Sequence, residues 1–424
     1  MIDWGFSIMM IRKMRLIVPV LLLAAAAAHG GTLYLSFNQH STQNLFQTSA
    51  GLSDQISVFS LAFDHDFSSL SFLGSLEYSA FRETSGLSFF AADAGLDYLL
   101  PAGKKSAFYL AAGGGGNFYR RAYDAFSALG GNLLGAFKTY LAPSSILKLQ
   151  WRGQYTAYKD SLFDSLSQIA SLSIDKYFSS RTTLKADAEW GYKHFLHPFL
   201  PEPVGIATET DATLATAGGD TGNQTGSGYG SGTGLAAGWG GSRQYQGGYG
   251  FIPRYSATGG GAGIGHVSLS LLAAQGIGDI VGLSASAVKQ WIVTGENPFL
   301  SIEEFYLVQN PSADSFSWDG SQFTGRLTLN MPWDVEIKTG YTYSDKTYPG
   351  VESMGLDGLP LGIIRNDLRH LFEARLQKNF RRLSVFLAYS FIDNTSTDPL
   401  FVWKSHFFMG GIEWNIPAGR KGGA

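Results

Sequence analysis

One feature restricts this chain more than any other: a two-residue alternation of apolar and polar side chains, sustained over long segments. In residues 334–343, Val335, Ile337, Tyr341 and Tyr343 fall on one face, and Asp334, Glu336, Lys338 and Thr342 on the other. Leu147, Leu149, Trp151 and Tyr155 alternate with Lys148, Gln150, Arg152 and Gln154. Leu184, Ala186, Ala188, Trp190 and Tyr192 alternate with Lys185, Asp187, Glu189 and Lys193. The same holds for Phe323, Leu327, Leu329 and Met331 against Thr324, Arg326, Thr328 and Asn330. It holds again for Phe372, Ala374 and Leu376 against Glu373, Arg375, Gln377 and Asn379. Successive strand side chains point to opposite faces, so each segment predicts a two-faced β-strand. The segments run to about 10–15 residues, whereas soluble strands average about 5–6 and a tilted strand crossing a bilayer needs about 9–11.

The breaks between segments alternate in length. Short ones fall at 67–69, 101–105, 142–145, 179–181, 276–278, 332–333 and 380–382. Longer ones fall at 41–54, 83–87, 120–126, 159–165, 196–261, 294–320, 347–366 and 393–402. That rhythm predicts an all-β chain, a transmembrane antiparallel up-and-down barrel of about 16 strands (range about 14–18) with turns at one end and loops at the other. Composition agrees. Charged residues make up 15% of the chain, against roughly 25% in an average soluble domain. A mean hydropathy of +0.01 is too low for a bundle of membrane helices,. The formal charge of −3 lacks the basic surplus of an electrostatic nucleic-acid binder,. The absence of cysteine excludes disulfide scaffolds, thiolate zinc sites, iron–sulfur clusters and a lipid-modified N-terminal cysteine,.

Residues 1–30 read as an export signal. Arg12, Lys13 and Arg15 form a positive region, Leu16–Leu23 a short apolar core, and small residues lead to a cleavage point after Ala28 or Gly30,. Translation starts at Met1, Met10 or Met14 with the same mature chain. Residues 31–424 form the barrel. Tyr98, Tyr140, Tyr177, Trp333, Phe380 and Trp414 lie near short breaks or the last strand. They are candidates for a belt at the membrane interface, where a ring with a polar tip is at home.

On these segments the chain resembles the bacterial outer-membrane β-barrel proteins, in particular the porin-sized ones. The resemblance covers residues 31–416 and is one of pattern rather than of a motif. Many such proteins end on an aromatic residue; here the last strand, 407–416, is followed by Pro417–Ala424, with Trp414 and Ile416 the nearest substitutes. The resemblance implies a Gram-negative outer membrane, with both chain ends in the periplasm.

A barrel of this size holds an aqueous lumen unless something fills it. The polar faces supply the candidate lining: Lys148, Arg152, Lys185, Asp187, Glu189, Arg326, Glu336, Lys338, Glu373 and Arg375, with Lys193, Asp93, Asp97 and Glu413 beside them. The expected function is a channel for passive diffusion of small polar solutes, without cofactor or metal. The alternative is a conduit or scaffold barrel enclosing a partner protein of an electron-transfer or secretion complex. Lipid and small solutes are the expected partners, with a homo-oligomer or a periplasmic or surface partner also open. Segment 196–261 is rich in Gly, Ser, Thr and Ala and reads as a long extracellular loop,. Segment 294–320, with Phe299, Phe305, Tyr306, Phe316 and Trp318, is expected to cap the mouth, with a short helix at Ser301–Val308.

Catalytic signals are weak, and the chain reads as no enzyme. Asp64-His65-Asp66 cannot share one metal, because on a strand His65 points away from both carboxylates. His194 and His197 diverge for a similar reason. Gly113–Gly116 lacks the helix and the Lys-Ser/Thr of a phosphate loop,.

Overall fold

The computed structural model describes residues 31–45, 47, 49, 51–159, 164–196, 263–295, 316–357 and 359–417. The expected export signal, nearly all of the 196–261 loop, His197 and the expected helix at Ser301–Val308 lie outside the described residues. Sixteen strands follow one another in the chain. They are β1 (Thr32–Thr42), β2 (Asp54–Phe67), β3 (Leu70–Phe81), β4 (Phe89–Ala102), β5 (Ser106–Tyr119) and β6 (Ala128–Ala142). Next come β7 (Ser145–Tyr158), β8 (Ser165–Tyr177), β9 (Thr182–Phe195), β10 (Gly263–Ile277) and β11 (Val281–Thr294). The last are β12 (Asp319–Met331), β13 (Val335–Met354), β14 (Pro360–Asn379), β15 (Leu383–Ser396) and β16 (Trp403–Pro417). Each pairs antiparallel with its neighbours in sequence, and β1 pairs with β16 from Thr32↔Pro417 to Thr42↔Phe407. The sheet therefore closes without an edge, and its ladder satisfies the backbone internally, as a spanning sheet must.

One rim, the turn end, carries the short connections and the outer ends of β1 and β16. Its turns are tight. Gly103 and Gly278 take φ of +76° and +58°, values that cost glycine little,. The other rim, the loop end, carries the longer connections. Strand bounds follow the expected breaks closely, with one correction. Residues 347–366, expected as a loop, mostly extend β13 and β14, each 20 residues long, and only 355–359 connects them. Pro349 and Gly350 read as loop formers. Pro349 sits in the stretch where pairing skips from Thr347 to Glu352, so its missing N–H breaks no ladder bond, and Gly350 takes φ +80° in the same irregularity,.

The two faces of the wall are chemically opposite. Rows of Leu, Phe and Tyr occupy one face and are the more exposed: Leu271 and Leu387 are each 63% exposed. A soluble sheet buries such a face; here it looks outward, as it would toward lipid. Alternate residues, rich in charged and hydroxyl groups, look into the lumen.

Candidate functional site: the barrel lumen

From mid-wall to the turn end, the inward rows are charged. They carry only carboxylates on β2–β4: Asp64, Asp66, Glu77, Asp93 and Asp97. Hydroxyls and backbone hold these groups. Tyr34 Oη and Thr32 N donate to Asp64, Ser71 Oγ to Asp66 at 2.6 Å, Ser60 and Ser79 to Glu77, and Ser75 to Asp93. No ion pair joins any of the five to a cation among the described residues. Next around the wall, β5 presents Gly113, Gly115 and Asn117 inward. A Cβ at Gly115 would collide with the Asp93 carboxylate, so the missing side chain is what lets that acid lie flat on the wall,. Beyond β5 come only cations, Lys138 on β6 and Lys148 and Arg152 on β7.

The remaining charges mix signs. Lys148 Nζ reaches Asp175 Oδ2 of β8 at 2.7 Å. Lys185 pairs with Asp187 at 2.9 Å, Lys338 with Glu336 at 2.7 Å, and Arg375 with Glu413 at 3.6 Å. Arg152 and Arg326 are exposed to the lumen, with no ion pair among the described residues.

The loop-end half of the lumen is packed instead. Leu45 and Leu87 fold in from connections 43–53 and 82–88 onto the inward Ile56, Val58 and Phe81. Phe316 covers Phe195 and Ile264. Trp318 and Phe401 gather on Tyr348 and Val351, and Ile392, Trp403 and Phe407 form a fourth cluster. Buried aspartates pin these connections. Asp54 accepts from the N–H groups of Gln55 (2.7 Å), Arg82 (3.1 Å), Glu83 (3.0 Å) and Thr84 (3.0 Å), and from the Thr84 hydroxyl. Asp398 accepts from Met354 N at 3.1 Å and Leu400 N at 3.0 Å. Ser49 N donates to Leu400 O at 2.8 Å, tying the first connection to the last. In the 120–127 connection, burial pushes the Tyr123 phenol above its ordinary pKa,. Arg365, 2% exposed, pairs with Asp367, 1% exposed, and its guanidinium lies 4.3 Å from the Tyr348 ring centroid and 3.5 Å from that of Phe401. His266 is fully buried on Gly191, where a Cβ would strike the imidazole, and its Nε2 lies 3.1 Å from Glu189 Oε1.

All ten residues expected to line a pore alternate onto the inward face. Of the six expected interface aromatics, Tyr98 and Trp414 are exposed on the outward face, while Trp333 and Phe380 sit in turn-end connections. Tyr140 and Tyr177 differ from that expectation. They share the inward face with Lys138 and Asp175, because a lone aromatic near a strand end does not reveal its parity. Asp64, Asp66 and Glu77 were not among the expected lining residues. His65 between the two aspartates points outward, its ring edge-on to Phe67 at 4.0 Å. Phe316 and Trp318, expected to cap the mouth, are both buried in the loop-end clusters; Phe299, Phe305 and Tyr306 lie outside the described residues. Among the described residues no three His, Asp or Glu side chains are placed to hold a metal ion.

No protein-family model matches the chain, and no curated protein matches it in sequence. Among solved structures, it is similar to Pseudomonas aeruginosa OpdO, with a TM-score of 0.46 and 9% identity over 91% of this chain and 96% of that one. Acinetobacter baumannii OccAB1 gives 0.46 and 9%, over 91% and 96%. Pseudomonas aeruginosa OccK2 (OpdF), solved in complex with glucuronate, gives 0.46 and 12%, over 92% and 98%.

Proposed function

We propose that the protein is a porin-like channel of the outer membrane, through which small polar solutes diffuse passively. One observation carries this reading: the inward wall from mid-barrel to the turn end holds charges of both signs, most of them exposed or half-exposed, several without a counter-ion among the described residues. A dry interior would have to pair or neutralise each of them, so this wall is wet. In this reading the loop end faces outward and the turn end the periplasm. The packed loop end narrows the passage and filters by size. The acidic arc of β2–β4 and the basic arc of β6–β7 then act on charge. No bond is made or broken, and the chain's residues only solvate and sort. Loop-end packing favours a solute channel over a barrel enclosing a partner chain, which needs an open mouth.

Single-channel recording of the refolded protein in a planar bilayer tests this. Stable open-channel current is expected, with a reversal potential in a KCl gradient that moves on charge reversal at Arg152. A folded, heat-modifiable barrel that leaves the bilayer silent would overturn the reading.

A further inference from the structure

On the outward face, one apolar row runs into a polar patch near the β1–β16 junction. In register across the seam run Ile337, Leu376, Leu387 and Gly410, and the row continues as Gln39, Ser57 and Ala80. The neighbouring row toward the loop end runs Ala374, Tyr389, Phe408, Ser41 and Gln55. Small residues, Gly410, Ala374 and Ala80, leave a trough of about 970 Å³ between these rows. Leu387, Tyr389 and Phe408 stand up as its walls. Strands of a barrel tilt, so a row that crosses them at right angles climbs from mid-wall to a rim. The trough is therefore apolar at depth, on β13–β16, and polar near the loop end, on β1–β3.

The polar end is rich in donors. Ser57 Oγ donates to Gln39 Oε1 at 2.7 Å, and Arg82 Nη1 to Gln55 Oε1 at 2.9 Å. Both carboxamide oxygens are thereby used, and both carboxamide nitrogens keep their protons to offer. Arg82 is also 3.5 Å from Glu83, and Lys404 is paired with Asp393 at 2.7 Å on the next row but one, so the end is donor-rich without large net charge. His406 beside it bonds through Nδ1 to Tyr389 Oη at 2.8 Å. Unpaired donors facing hydrocarbon are costly, whereas a head group with phosphate and sugar oxygens would accept from them.

We propose that this trough is a binding site for one phosphorylated, acylated glycolipid of the leaflet at the loop end. An acyl chain lies over Gly410 and Ala374, and the head accepts from Gln39, Gln55, Ser41 and Arg82. The amphipathic profile along a narrow trough fits a single lipid better than the flat contact that a second copy needs. The inference rests on the membrane reading of the barrel and is independent of whether its lumen conducts.

The test is native mass spectrometry of the detergent-purified full chain, titrated with lipid A. Wild type is expected to hold one lipid A per barrel. Gly410→Leu and Ala374→Leu, which fill the trough, are expected to weaken retention about tenfold, the equivalent of displacing roughly two buried methylenes. Gln39→Leu with Gln55→Leu removes two of the head contacts with a similar result. Ala285→Leu, on the outward face of β11 across the barrel, leaves retention unchanged. Heat-modifiability verifies folding, and bilayer conductance of the trough variants stays at the wild-type value. Equal retention in every variant means annular lipid only and overturns the proposal. So does a wild-type oligomer that Gly410→Leu takes apart, which would make a second copy the occupant.

Discussion

The two halves of the lumen are built from the same strands and obey different rules. In the loop-end half, inward residues such as Ile56, Phe195, Tyr348 and Trp403 are buried under connections that fold in over them. Ionic groups there are enclosed, like Arg365 and Asp367. In the other half, Arg152, Arg326, Lys338 and Glu373 stand exposed on a bare wall. Buried apolar contacts gather in the packed half, while exposed charges stand in the other. A barrel can thus adjust its charges with little cost to its fold.

The contrast predicts graded outcomes. The largest effect is expected for Arg365→Met. It strands the Asp367 carboxylate in a buried setting and costs about 3–5 kcal/mol, read as a fall in the unfolding midpoint in detergent. Arg152→Met, the matched change on the wet wall, should stay within about 0.5 kcal/mol; equal losses in the two would erase the distinction between the halves. Asp54→Ala comes next. It deprives the N–H groups of Arg82, Glu83 and Thr84 of their acceptor and costs about 1–3 kcal/mol. Because the 82–88 connection then no longer holds Leu87 inward, single-channel conductance should rise. Glu77→Gln with Asp93→Asn and Asp97→Asn should leave the midpoint nearly unmoved and shift the reversal potential toward anions. Arg152→Glu with Arg326→Glu should shift it toward cations. Both shifts should shrink as salt is raised, since exposed charges are screened over about 8 Å at 0.15 M ionic strength. The smallest effect is expected for Glu336→Ala: its pair with Lys338 is largely solvated and worth about 0–1 kcal/mol.

What the sequence made legible was whatever repeats along a strand. Alternation at 147–155, 184–193, 323–331 and 335–343 placed the strands and the parity of their charged residues, because a period of two fixes both at once. It was blind to what depends on distant partners. The acidic arc is assembled from three strands, and its members Asp64 and Asp66 stand beside a histidine that draws attention to metal chemistry instead. The β13–β14 extension hides behind Pro349 and Gly350, because only the pairing pattern reveals that the skipped residues need no ladder bonds. The loop-end clusters join Leu45, Leu87, Trp318 and Phe401 from four connections. No local pattern encodes such contacts.

The seam between β1 and β16 has a consequence for how the molecule comes into being. Thr32 meets Pro417, so one ladder joins the first and last strands of the chain. Contact order is as high as the topology allows at that point, and pairing of such range is slow. A vectorial process that completes each hairpin as it emerges would leave a curled ribbon with two adhesive margins until β16 arrives. The cylinder therefore cannot close before the last strand is in place, whatever the order in which the hairpins form.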